Sequence, residues 1–120
     1  MIEERGTDFT GFRLISRLNL PDKIEVRIEP GNVFSIGRHS ASVGTKQSDF
    51  EFGPKTKEVS RRHVVIERTH SGYQLVDIGS TAGTYVNGNS IIPNAPQPLN
   101  RGDRVSFGRA GADYEWENMG

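Results

Sequence analysis

The sequence predicts an all-β domain, a sandwich of two antiparallel sheets, and three observations carry that prediction. Fourteen glycines and six prolines punctuate the 120 residues, leaving short segments rich in β-branched and aromatic side chains. Residues 23–29 alternate strictly, with Ile24, Val26 and Ile28 on one face and Lys23, Glu25, Arg27 and Glu29 on the other, the pattern of a half-buried strand. No long window sustains a 3.6-residue apolar period, so helix content is expected to be close to nil. Two sheets packed face to face let such strands bury one side each.

Taken in order, strands are expected over 12–18, 23–29, 33–36, 49–52, 63–68, 73–78, 84–86, 104–107 and 114–117. The 73–78 run places Tyr73, Leu75 and Asp77 on one face and Gln74, Val76 and Ile78 on the other. Both faces carry apolar area, which suits a central strand covered on two sides. Thr69, His70, Ser71 and Gly72 form a hairpin turn, and Asn87-Gly88 is a type I′ signal between Tyr85-Val86 and Ile91-Ile92. The longest stretch without strand character runs from Arg38 to Ser60, broken only by Phe50 and Phe52. Loops of that length tend to carry binding functions.

At a prior of about 150 residues per domain the chain is one domain, expected over residues 12–117 between an N-terminal tail (1–11) and a short C-terminal tail (118–120). Hydrophobic residues are 33% and charged residues 25% of the chain, above the composition of disordered segments. No run approaches the ~18 apolar residues of a membrane span, and the first eleven residues lack the apolar stretch of a secretory leader. A cytoplasmic protein without membrane partners is expected. There is no cysteine, which removes disulfides, zinc-thiolate sites and thiol nucleophiles.

Fifteen Lys and Arg balance fifteen Asp and Glu, so the whole molecule exerts no long-range pull on nucleic acid. No aromatic platform stands near the basic loops, and no nucleic-acid partner is expected. The balance hides an asymmetry. Residues 35–68 hold Arg38, Lys46, Lys55, Lys57, Arg61, Arg62 and Arg68 against Asp49, Glu51, Glu58 and Glu67, a net of +3, while residues 103–120 are net −2. An anionic partner meets the middle of the chain.

The three histidines, His39, His63 and His70, have no ligand-like spacing, and nothing supplies a nucleophile with a base and an orienting group. No enzyme, metal or cofactor is expected. Asp77 and Asp103 lie in strand contexts near glycine and read as turn caps. Three loops carry donors instead. Gly37-Arg38 ends the strand over 33–36, and an arginine on a rigid strand end offers a fork to phosphate. Ser60-Arg61-Arg62 precedes His63 as a second donor cluster. Gly79-Ser80-Thr81-Ala82-Gly83-Thr84 is a small-residue loop of exposed amides and hydroxyls, able to seat an anion.

The order and spacing of these blocks, with Asn87-Gly88 four residues past Gly83, resemble the forkhead-associated (FHA) domain, a phosphothreonine-peptide recognition module. The resemblance spans roughly Phe12 to Trp116. It implies a sandwich of about eleven strands whose apical loops bind an extended segment of a threonine-phosphorylated protein, without catalysis, in signalling or regulated assembly. It implies phosphate or peptide contacts for Arg38, Ser60, Arg61 and Thr81, and structural roles for Gly37, His63, Asn87 and Gly88, with His63 tying the Ser60 loop to its neighbour.

Two departures from the family's pattern bear on function. The family usually has asparagine where this chain has Ala82, so amide bonds to the peptide backbone, each worth ~0.5–1.5 kcal/mol, are lost at that position. The long segment 40–48 stands beside the apex, where it covers, extends or re-aims the peptide site. Both features support an alternative, a phosphorylation-independent interaction scaffold on the same sandwich. Thr7 in the N-terminal tail, once phosphorylated, is a candidate for self-interaction. The oligomeric state is not set by the sequence.

Overall fold

The computed structural model describes residues 9–118; Thr7, with the rest of the first eight residues, lies outside the described residues. Eleven strands follow one another: β1 (Gly11–Leu14), β2 (Lys23–Glu25), β3 (Val33–Arg38), β4 (Phe50–Phe52), β5 (Val64–Thr69), β6 (Gly72–Asp77), β7 (Thr84–Val86), β8 (Asn89–Ser90), β9 (Gln97–Leu99), β10 (Arg104–Phe107) and β11 (Asp113–Glu117). They form a six-stranded sheet, β2-β1-β11-β10-β7-β8, and a five-stranded sheet, β4-β3-β5-β6-β9. Every pairing is antiparallel except β3 with β4, which run parallel. The parallel pair follows from the intervening loop over residues 39–49, which carries the chain back before β4 begins.

Alternation decides which side chains enter the core. Phe12, Ile24, Val105, Phe107, Tyr114 and Trp116 from one sheet meet Ile36, Phe52, Val64, Ile66 and Leu75 from the other, all fully buried. Phe107 lies at its centre, with ring centroids 5.6 Å from Phe12, 5.9 Å from Phe52 and 5.9 Å from Tyr114. Edge and tilted arrangements of this kind add to the area each ring removes from water. β6 sits between β5 and β9 with Leu75 and Val76 both buried, so its two apolar faces are both used.

Strand ends differ from the sequence expectation for local reasons. β1 stops at Leu14 rather than residue 18: the Leu14 amide donates to Asp22 and the Ile15 amide to Asp113, and the chain turns away, leaving Leu18 exposed. Residues 26–28 keep the alternation of β2, with Val26 buried, but pairing ends after the Val26 amide reaches Thr10. β9 had no signal, since it contains Pro98 between Pro96 and Leu99. It is an edge strand, where a residue without an N–H is tolerated.

Candidate functional site

Four connections meet at one end of the sandwich. They are the 39–49 loop after β3, the 53–63 loop after β4, the 78–83 loop after β6 and the 108–112 turn between β10 and β11. What joins them is backbone and hydroxyl chemistry. The Arg38 amide donates to the carbonyls of Ser60 (3.0 Å) and Arg61 (3.3 Å), and the Gly108 amide donates to Gly83 (2.9 Å). Gly37 makes the first of these approaches possible. A Cβ at that position would lie 1.8 Å from the Arg61 carbonyl oxygen, so only glycine fits between β3 and the 53–63 loop.

Arg38 is the last residue of β3 and its side chain is half-buried. Its Nη1 donates to the main-chain carbonyls of Val59 (2.8 Å) and Lys57 (3.2 Å). These carbonyls aim the guanidinium without neutralising it, and among the described residues no carboxylate forms an ion pair with it. A cation held by dipoles alone keeps its charge for an incoming anion.

Ser60 and Thr81 are joined directly. The Thr81 amide donates to Ser60 Oγ at 2.9 Å, which uses the hydroxyl as acceptor and leaves its proton to be donated elsewhere. His63 lies behind them, fully buried. The Ser60 amide donates to His63 Nδ1 at 3.0 Å, so the ring proton sits on Nε2 and is donated to the Gly83 carbonyl, also at 3.0 Å. One neutral imidazole thus spans the 53–63 and 78–83 loops. Burial pushes its pKa below the ordinary histidine range, outweighing the opposing pull of the Gly83 carbonyl and of Asp77.

The 78–83 loop is organised from within by Asp77. Its Oδ1 accepts the amides of Gly79 (2.8 Å) and Ser80 (2.9 Å), while Oδ2 accepts the hydroxyls of Ser80 and Thr84. Ser80 Oγ in turn accepts the Gly83 amide at 3.1 Å. Burial alone would raise the Asp77 pKa, but these four donors together hold it below the usual aspartate value. Asp77 and Asp103 both cap turns, the latter accepting the Asn100 amide at 2.8 Å.

The geometry therefore brings Arg38, Ser60, Thr81 and the Arg61 carbonyl together. The Arg61 and Thr81 side chains are exposed at the same apex, and Ala82 is half-buried beside Thr81. Asn87 and Gly88 lie elsewhere, at the far end of β7. Their φ angles of 53° and 85° are those of a type I′ turn, and Asn87 is tied to Asp103 and Arg104. The 40–48 segment folds back on β4. Glu51 Oε2 accepts the amides of Gln47 (2.6 Å) and Ser48 (3.0 Å), and Oε1 lies 2.9 Å from His39 Nδ1. The Gln47 amide first, then His39, lower the Glu51 pKa.

Two apical residues escaped the sequence reading. Arg109 stacks over the Tyr85 ring, 5.0 Å from its centroid, and its Nε donates to the Tyr85 hydroxyl at 2.6 Å. Arg109 had no signal because it sits in the acidic C-terminal stretch, and Tyr85 looked like an ordinary strand residue. Only the turn between β10 and β11 carries that arginine to the apex.

A family model described as the FHA domain matches residues 34–108. A protein named oxoglutarate dehydrogenase inhibitor from Corynebacterium diphtheriae is 41% identical over 80 residues, covering 66% of this chain and 52% of that protein. The chain therefore spans about half the length of that curated relative. The fold is shared with the FHA domain of the CT664 protein from Chlamydia trachomatis, at TM-score 0.69 and 16% identity over 92% of this chain and 98% of that one. It is also shared with the N-terminal FHA domain of Rad53p from S. cerevisiae, solved with a phosphothreonine peptide, at TM-score 0.66 and 23% identity over 90% and 94% of the two chains.

Proposed function

This chain belongs to the FHA domain family, and from that membership and the geometry of its apex we propose that it is a phosphothreonine-dependent binding module with no turnover of its own. The observation that carries the reading is Arg38, a guanidinium fixed by two main-chain carbonyls with no carboxylate paired to it among the described residues. A phosphothreonine brings a charge of about −1.5 to −2 and three strong acceptor oxygens. Arg38 supplies the matching charge, the Ser60 hydroxyl supplies a proton its other bond leaves free, and Arg61 supplies a second, exposed guanidinium. The Thr81 loop holds Ser60 in place and lines the nook for the threonine methyl. That one methyl is worth ~1 kcal/mol of preference over phosphoserine.

The module acts in a cytoplasmic, kinase-controlled assembly, in which the phosphorylated partner supplies the extended segment. Among the described residues no helix is long and apolar enough to cross a membrane. A second reading, a phosphate-independent scaffold, rests on Ala82, whose methyl offers no hydrogen bond at the apex. One degenerate peptide library in phosphothreonine, phosphoserine and unphosphorylated forms separates the two. The phosphothreonine reading expects binding at about micromolar Kd in the phosphothreonine pool, lost with Arg38→Ala. Equal binding of all three pools by the folded native chain supports the scaffold instead.

A further inference from the structure

Among the described residues the sandwich ends in the edge strands β2 and β8 of one sheet and β4 and β9 of the other, and all but β2 are poor templates for further pairing. β9 carries Pro98, which has no N–H to offer. β8 is two residues long. β4 is three residues long, and the 40–48 segment is fastened to it through Glu51. Short, proline-bearing or covered edges are the usual protection against unwanted strand pairing. The β2 edge has none of these.

The register of β2 shows which main-chain groups that edge exposes. Lys23 lies opposite Arg13, Ile24 opposite Phe12 and Glu25 opposite Gly11. The Val26 amide donates to the Thr10 carbonyl and the Leu14 amide to that of Asp22, so the even-numbered residues turn their main-chain groups toward β1. Ile28 keeps the same parity, its carbonyl accepting Arg68 Nη1 at 2.8 Å. In an antiparallel ladder the alternate residues face the other way, so Lys23, Glu25 and Arg27 present N–H and C=O to the open side.

The segment 23–29 is also complementary to itself. Placed antiparallel against a second copy about Val26, Glu25 falls opposite Arg27 of that copy and Lys23 opposite its Glu29, all on the exposed face. Ile24 falls opposite Ile28 on the apolar face. A slip of two residues one way sets Glu25 against Glu25 and Lys23 against Arg27; the other way sets Arg27 against Arg27 and Glu25 against Glu29. Like charges directly opposed across a ladder are destabilising, so charge selects one register. An edge of a single sign would repel every copy; this alternation admits one arrangement. Within the chain Arg27 reaches Glu25 at 2.9 Å, with the two side chains 83% and 46% exposed. A pair so open to water contributes little and is free to be shared.

We propose that this chain forms a two-fold symmetric dimer, pairing residues 23–29 edge to edge with the same residues of a second copy and joining the two six-stranded sheets into one. Self-complementarity about a central residue is what an isologous interface requires. The joined edge leads into the end of the sandwich where β5 finishes, since the Gly31 amide donates to the Arg68 carbonyl. The apex, at His63 and Arg38, lies at the other end of β5 and β3. Both apices therefore stay open, and the dimer offers two sites at once. The association itself does not depend on the phosphothreonine reading.

Sedimentation velocity between about 10 μM and about 1 mM covers the range in which so small an interface is populated, and the native chain is expected to pass from monomer to dimer across it. Glu25→Arg and Arg27→Glu each set like charges opposite one another and weaken self-association about tenfold or more. Mixed in equal amounts, the two variants restore every opposite-charge pair across the interface and associate as tightly as the native chain. Neither regains the Glu25–Arg27 pair within its own chain, so this recovery reports the interface alone. Both side chains are exposed, and circular dichroism is expected to show native folding in each variant. A native chain that stays monomeric throughout overturns the proposal. A dimer that both variants leave unchanged overturns it too, as does a mixture that associates no better than its parts.

Discussion

Gly37 and His63 act at the scale of single residues, and both roles are testable without a ligand. Gly37→Ala forces its Cβ against the Arg61 carbonyl, backbone that cannot rotate away. Overpacking of this kind costs about 1–3 kcal/mol, and urea denaturation is expected to give a loss at the upper end. A loss near zero would mean that β3 and the 53–63 loop separate easily. For His63 the native pKa is lowered, while the unfolded chain titrates near the ordinary value of about 6.5. The unfolded state therefore takes up a proton first as pH falls. Stability is complete above about 6.5 and declines as pH drops from there toward the native pKa. Asp77 and Glu51, both lowered, add stability above their unfolded pKa values that is lost at still lower pH, as pH falls through their native ones. Urea midpoints across this range check the sign, and His63→Gln should flatten the upper window. A native midpoint that rises on acidification through it would contradict the buried neutral imidazole.

Among the elements, what the sequence revealed was what local chemistry dictates. Asn87-Gly88 announced its turn because only residues tolerant of positive φ fit a type I′ pair, and the alternation of Ile24 and Val26 announced a strand. β9 stayed hidden because its proline is acceptable only at a sheet edge, and edge status belongs to the tertiary structure. β8 stayed hidden because Asn89 and Ser90 are both exposed, and the apolar pair placed in that arm splits, Ile91 buried and Ile92 open to solvent. Arg38, Ser60 and Thr81 were legible as three donor loops, but their convergence came from the family resemblance rather than from spacing. Arg109 was not legible at all. Gly88 sits in the type I′ turn at φ 85°. Gly88→Ala should cost about 1–2 kcal/mol by urea denaturation and leave phosphopeptide affinity unchanged, since the turn lies at the far end of β7. A loss of affinity in the folded variant would show that the two ends of the sandwich are coupled.

At the scale of the molecule, one aromatic core holds both sheets and so holds the loops in register. Phe107 touches rings from β1, β4 and β11 and also lies 5.8 Å from the His63 ring. Phe107→Ala is expected to cost about 3–5 kcal/mol, a large share of the stability of a domain this small; a loss below 1 kcal/mol by urea denaturation would count against a single shared core. The neutral whole contains a basic middle: residues 35–68 are net +3, and Arg38, Lys55, Lys57, Arg61 and Arg62 lie in or beside the converging loops. The most direct test of the central claim, that these loops form one phosphothreonine site, is a backbone amide NMR titration of the native chain with a phosphothreonine peptide. Shifts are expected at Arg38, Ser60, Arg61, Thr81 and Ala82, none at Asn87 and Gly88, and no response to the unphosphorylated peptide. Shifts confined to the 40–48 segment, or equal responses to both peptides, would contradict that claim.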